Sequence, residues 1–277
     1  MKVVLFCGGM GMRLREYSDL PKPLVAVGKH PILWHLMQYY TFYGHREFIL
    51  CLGYKAEEFA EYFLHCGARI TGDTMLAPTM RRLQLVFASG LQWDITLADT
   101  GLHANIGQRL KAVEPLLRKE DVFLANYADG LTDLPLPQVI DYFNRKNVVA
   151  AFVAVHPAQT FHVIAAGADG FVQNLHDVHE SDLWVNGGYF VFRRSIFSYI
   201  EAGEELIIEP FRRLIAERKL ATYKYGGFWA CMDTFKEKQQ LDELCAKSAG
   251  PWEAWEQVRE LGALETPVLA RPVAACS

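Results

Sequence analysis

Three glycines, Gly8, Gly9 and Gly11, follow an apolar run from Lys2 to Cys7 that reads as a β-strand. Glycine carries no Cβ, so such a loop turns tightly and lets consecutive backbone N–H groups approach an anion such as a phosphate chain. Arg13 follows closely and offers a forked cation for phosphate oxygens. Further on, Lys22 stands between Pro21 and Pro23, whose rings restrict the backbone and hold one ammonium with little freedom to lose. A strand, a glycine loop and two spaced cations thus predict an anion site at the carboxyl end of a strand.

Two common phosphate loops are excluded by inspection. The dinucleotide pattern needs a glycine three residues after Gly11, where Leu14 stands. The P-loop ends in Gly-Lys-Ser/Thr, and no such tripeptide closes this loop. A ligand-free strand-to-helix turn is the plain reading of the glycines alone. Arg13 and the proline-flanked Lys22 weigh against it.

Apolar β-rich runs at Phe48 to Leu52, Val122 to Ala125 and Val148 to Val155 alternate with helical spacing at Ile32 to Tyr43, Glu57 to Leu64 and Leu136 to Asn144. This alternation predicts a Rossmann-like α/β fold, a mostly parallel sheet flanked by helices, with ligands at the strands' carboxyl ends. Residues 67–92 break the pattern and read as an insertion near the ligand side. Residues 160–193 read as short strands forming a small antiparallel extension that shapes a second part of the pocket. Amphipathic helices near Ile207 to Arg218 and Phe235 to Lys247 close a single domain over residues 1–256, with 257–277 as a C-terminal tail. A net charge of −4 argues against non-specific nucleic-acid binding. No apolar stretch approaches a membrane span, and the six cysteines show no zinc spacing, so a cytoplasmic protein with reduced thiols is expected.

The ordered motifs Gly8-Gly9-Met10-Gly11-Met12-Arg13-Leu14, Pro21-Lys22-Pro23, Gly53-Tyr54-Lys55, Asp99-Thr100-Gly101 with Gly107-Gln108-Arg109-Leu110-Lys111, Tyr127-Ala128-Asp129-Gly130, Asn186-Gly187-Gly188, Met232-Asp233-Thr234 and Pro251-Trp252-Glu253-Ala254-Trp255-Glu256 resemble the sugar-phosphate nucleotidyltransferase family. The segments around Gly53, Asp99 and Pro251 point to its cytidylyl branch. The resemblance implies transfer of CMP from CTP to a small phosphorylated acceptor, glucose 1-phosphate by default, with release of pyrophosphate. It also implies a homo-oligomer. Such chemistry needs no general base, because an acceptor phosphate is already nucleophilic; the site must hold two polyanions in line and neutralise growing charge.

By the same resemblance Arg13 and Lys22 are the catalytic cations, on the β/γ- and α-phosphates respectively. Gly8, Gly9, Gly11, Gly53, Arg109 and Asp129 bind the nucleotide, and Asp129 with Asp233 holds Mg2+. Two carboxylates suit magnesium, which completes its shell with water and phosphate oxygens. On the residues alone, Asp233 could instead cap the helix that follows it, and Arg109 could be a solvated helix-surface residue.

His162, Asp177, Asn186 and Gly187 are the acceptor-side candidates. Asp177 stands where family members carry a lysine that grips the sugar phosphate, and His162 where they carry glycine. Met12 replaces their usual threonine. Two departures in one pocket leave three readings: a substitute cation, a metal cluster of His162, His176, Asp177 and His179, or a non-hexose phosphate or phosphonate acceptor. A catalytically silent nucleotide-binding regulator is the rival of another class, against which two retained carboxylates argue.

Overall fold

Alternate residues of the first strand, β1 (Val3–Phe6), enter two separate hydrophobic cores, Val3 and Leu5 on one face, Val4 and Phe6 on the other. Four consecutive buried residues of this kind mark a strand covered on both sides. The computed structural model describes residues 1–11, 18–157, 162–178, 181–247 and 250–256. Arg13 and His179, and the tail at 257–277, lie outside them.

After β1 come β2 (Ala26–Val27), β3 (His30–Pro31), α1 (Ile32–Phe42), β4 (Glu47–Leu52), α2 (Ala56–His65), β5 (Arg69–Ala77), β6 (Met80–Val86) and β7 (Gln92–Asp99). The middle of the chain supplies α3 (Ile106–Ala112), β8 (Val122–Asn126), β9 (Gly130–Thr132), α4 (Leu136–Lys146), β10 (Ala150–Val155), β11 (His162–Ala166) and β12 (Val172–Asp177). It ends with β13 (Val185–Arg193), α5 (Glu209–Ala216), β14 (Leu220–Tyr225), β15 (Trp229–Cys231) and α6 (Phe235–Lys247).

Nine strands form one sheet in the order β14-β10-β13-β8-β1-β4-β7-β6-β5. Only β13 and β6 run against the rest, so the sheet is mostly parallel, as the alternation predicts. Helices α1, α2, α4 and α6 pack on one face and α3 and α5 on the other. The β5–β6 hairpin, within the predicted insertion, extends the sheet edge beyond β7. The β11–β12 hairpin is the predicted antiparallel extension; it leaves the chain between β10 and β13.

Two smaller ladders position the site. β9 pairs antiparallel with β15, matching Gly130 to Cys231, and the Met232 N–H then donates to the Asp129 carbonyl at 2.8 Å. Continuing that register sets Asp129 opposite Met232, the residue before Asp233, so two aspartates far apart in sequence come close. β2 and β3 form the second ladder, which follows the three-residue 3-10 turn Lys22–Leu24.

Candidate active site

Lys22 lies at the start of that 3-10 turn, entered through Pro21 and continued by Pro23, and its ammonium reaches both aspartates. Lys22 Nζ donates to Asp129 Oδ2 at 2.8 Å and to Asp233 Oδ1 at 2.6 Å. Burial alone would lower the lysine's pKa, but the two carboxylates outweigh it and push it up to about 12. Burial lifts the Asp129 carboxyl above its ordinary range, with Lys22 opposing and Asp233 reinforcing the shift. Lys22 is therefore a cation across the physiological range, held ready between two anions.

Each aspartate is aimed by its own local device. Ala128, just before Asp129, sits at φ +62°, a left-handed conformation rare for a residue with a Cβ, and its N–H donates to Asn126 Oδ1 at 2.7 Å. Nothing in the sequence signals this strain. Beside Asp233, Thr234 and Glu237 form the reciprocal contacts of a helix-capping box: the Glu237 N–H donates to Thr234 Oγ1, while the Thr234 N–H donates to Glu237 Oε2. Thr234 thus takes the capping role considered for Asp233, leaving its carboxylate for Lys22. The Thr-x-x-Glu spacing that signals this cap is present in the sequence itself.

A cavity of about 370 Å³ opens beside these charges, lined in part by Gly8, Gly9, Gly11, Lys22, Arg109, Tyr127 and Asp129. The glycines serve different purposes. Gly11 has φ +57°, and a Cβ there would lie 3.2 Å from Lys22 Cβ, so the loop folds closely over the lysine. A Cβ at Gly9 would meet nothing within 4 Å, which leaves open space for a ligand.

Gly8 and Gly53 make room for Arg109. A Cβ on Gly8 would lie 2.0 Å from Arg109 Nη1, and one on Gly53 would lie 2.9 Å from the same atom. Arg109 corrects the surface reading of this residue, because it is 3% exposed. Its Nη1 donates to the Leu52 carbonyl at 2.8 Å and Thr100 Oγ1 at 2.7 Å, and its Nη2 to the Gly8 carbonyl at 3.0 Å. The guanidinium thereby pins the loops after β1, β4 and β7 to one another.

The acceptor candidates fall into two places. Asn186 Nδ2 donates to the Tyr127 hydroxyl at 3.2 Å, and its Oδ1 accepts from the Gly188 N–H at 2.9 Å, which joins it to the cavity wall. The Gly187 carbonyl accepts from the Trp229 indole at 2.9 Å. His162 and Asp177, by contrast, are cross-strand partners on the β11–β12 hairpin. His176 pairs with Val163, one position along, and so faces the other side of the ribbon. That arrangement sets His176 apart from His162 and Asp177, and no group of three metal-ligating side chains occurs among the described residues. The 67–92 segment contributes no residue to the cavity lining, unlike its expected place near the nucleotide.

The sequence profile of the family described as nucleotidyl transferase matches residues 2–248. The chain belongs to that family. Glucose-1-phosphate cytidylyltransferases of Salmonella typhimurium and Salmonella typhi are each 34% identical to this transferase over 266 residues, spanning 92% of this chain and 100% of theirs. The structure of a UDP-glucose pyrophosphorylase complexed with UDP-glucose superposes with a TM-score of 0.63 at 14% identity, covering 89% of this chain and 98% of that one. Such low identity speaks for the fold, and the fold agrees.

Proposed function

We propose that this nucleotidyl transferase moves CMP from CTP to glucose 1-phosphate and releases pyrophosphate. The observation that carries the reading is the Lys22 ammonium held by Asp129 and Asp233 at a glycine-lined cavity. The cytidylyltransferases matched along their full lengths favour CTP and glucose 1-phosphate over the other acceptors considered.

Lys22 would place its charge on the α-phosphate, where negative charge grows as an acceptor phosphate oxygen attacks and the bond to pyrophosphate breaks. Arg109 would act as a positioning residue by fixing the Gly8 loop against which the nucleotide lies. Asp129 and Asp233 suit a divalent cation: their oxygens are hard, they sit together on one ammonium, and two carboxylates match magnesium better than a closed protein cage would. When bound, magnesium would neutralise charge on the triphosphate. Asn186 and Gly187 would border the acceptor, with His162 beside Asp177 on the adjoining hairpin.

No helix among the described residues is long and apolar enough to cross a membrane. The described cysteines are free, which supports a cytoplasmic enzyme. Exposed Ile164, Phe171, Val172 and Leu175 on the β11–β12 hairpin support self-association. The test is pyrophosphate release from CTP, magnesium and a panel of sugar 1-phosphates. Glucose 1-phosphate should give the highest kcat/KM, and a preference for a non-hexose phosphate would overturn the assignment.

A further inference from the structure

The cavity wall carries a second carboxylate, Glu205, beside Asn105, Ile106 and Tyr127. Its loop is fixed against the first turn of α3. Asn105 Nδ2 donates to the Gly203 carbonyl at 3.0 Å, and the Ile106 N–H donates to Glu205 Oε2 at 3.4 Å. A Cβ on Gly107 would lie 2.3 Å from the Glu204 carbonyl oxygen, so only glycine permits this approach. Glu205 Oε1 accepts from the Leu206 N–H at 2.9 Å.

Two N–H bonds leave about half of a carboxylate's acceptor directions open. No lysine or arginine among the described residues forms an ion pair with Glu205, whereas Asp129 is paired with Lys22. Asn105 offers little, since its Oδ1 already accepts from the Gln108 N–H and its amide donates to Gly203. The Tyr127 hydroxyl accepts from Asn186 and retains its own hydrogen to donate. Burial first, and then the charge of Glu205, raises the Tyr127 phenol, which keeps that hydrogen in place.

A carboxylate without a cation repels phosphate, so Glu205 does not serve the triphosphate. It accepts from a donor, and the neighbouring phenol can donate to an acceptor. A sugar hydroxyl is both. We infer that Glu205, with Tyr127 beside it, binds a sugar hydroxyl of a substrate in this cavity, an inference that rests on the nucleotidyl-transfer reading above. Two sugars could present the group, the ribose of the nucleotide or the hexose of the acceptor.

Glu205→Ala and the shape-preserving Glu205→Gln would be assayed with CTP against 2′-deoxy-CTP and 3′-deoxy-CTP. They would also be assayed with glucose 1-phosphate against its 2-, 3- and 4-deoxy forms. In Glu205→Ala, kcat/KM for the hydroxylated substrate should fall about tenfold to a hundredfold, while one deoxy analogue keeps its value. Glu205→Gln should show a smaller loss at the same hydroxyl and replaces the alanine variant if that fails to fold. Collapse within the nucleotide pairs assigns the ribose; collapse within the glucose pairs assigns the hexose. An equal loss on every substrate, or no loss on any, overturns the proposal and leaves Glu205 as a brace for α3. Calorimetric binding of the same pairs decides the matter without turnover. If the unaltered protein releases no pyrophosphate, the proposed activity fails while this comparison still stands.

Discussion

At the residue scale, the organising group is the Lys22 ammonium, shared between two carboxylates. Removing it takes away the cation that Asp129 and Asp233 share. Lys22→Met should therefore lower turnover by about a hundredfold or more. Its melting temperature should also rise more on adding magnesium than that of the unaltered protein, because a bound cation would relieve the repulsion. Equal magnesium-induced shifts in a thermal melt would count against the shared site. Lys22, Asp129 and Asp233 were each legible from their motifs, but their mutual contact depends on a strand register that no local pattern encodes. For a related reason only the family resemblance, and no local pattern, separates Arg109 from a surface residue: its acceptors, the carbonyls of Gly8 and Leu52, lie far away in the sequence.

At the scale of elements, the clasp of β9 on β15 and the cap of α6 hold the aspartates together. Thr234→Ala should cost about 1 kcal/mol in urea unfolding by opening the capping box. It should also lower kcat, since the freed turn no longer fixes Asp233. Unchanged stability would show that Glu237 alone secures this turn. Apolar residues at helical spacing made α1, α2, α4 and α6 readable close to their observed limits. The predicted Ile207 to Arg218 helix is shorter, because α5 begins at Glu209 with Pro210 in its first turn. The strands β5 and β6 were not separated in advance, since much of β5 is exposed and lacks an apolar face.

For the whole molecule, the Pro251 to Glu256 motif has a structural explanation. Trp252 is 1% exposed, its indole donates to His35 Nδ1 at 3.2 Å, and His35 Nε2 lies 3.0 Å from the Val27 carbonyl. The chain's late segment thus locks onto α1 and the β2–β3 ladder, and Trp252→Ala should cost about 3–5 kcal/mol in the same unfolding measurement. Acid should weaken the fold through His45. Burial, followed by the Met1 amino group, lowers its pKa from 6.5 to about 4. The unfolded chain takes up a proton that the folded one resists, so this contribution is complete above the unfolded pKa and is lost as pH falls towards about 4. His45→Gln should flatten the decline in stability between those limits, and an unchanged slope would exclude His45 as its source.

Arg109 also has an evolutionary consequence. Gly8, Gly53 and the guanidinium occupy one another's space, so the three positions are epistatic and cannot drift singly. Gly8→Ala should be severely damaging in the present background, yet become neutral once Arg109 has been shortened. A lineage leaving this arrangement must therefore cross a valley of impaired intermediates or change several positions at once.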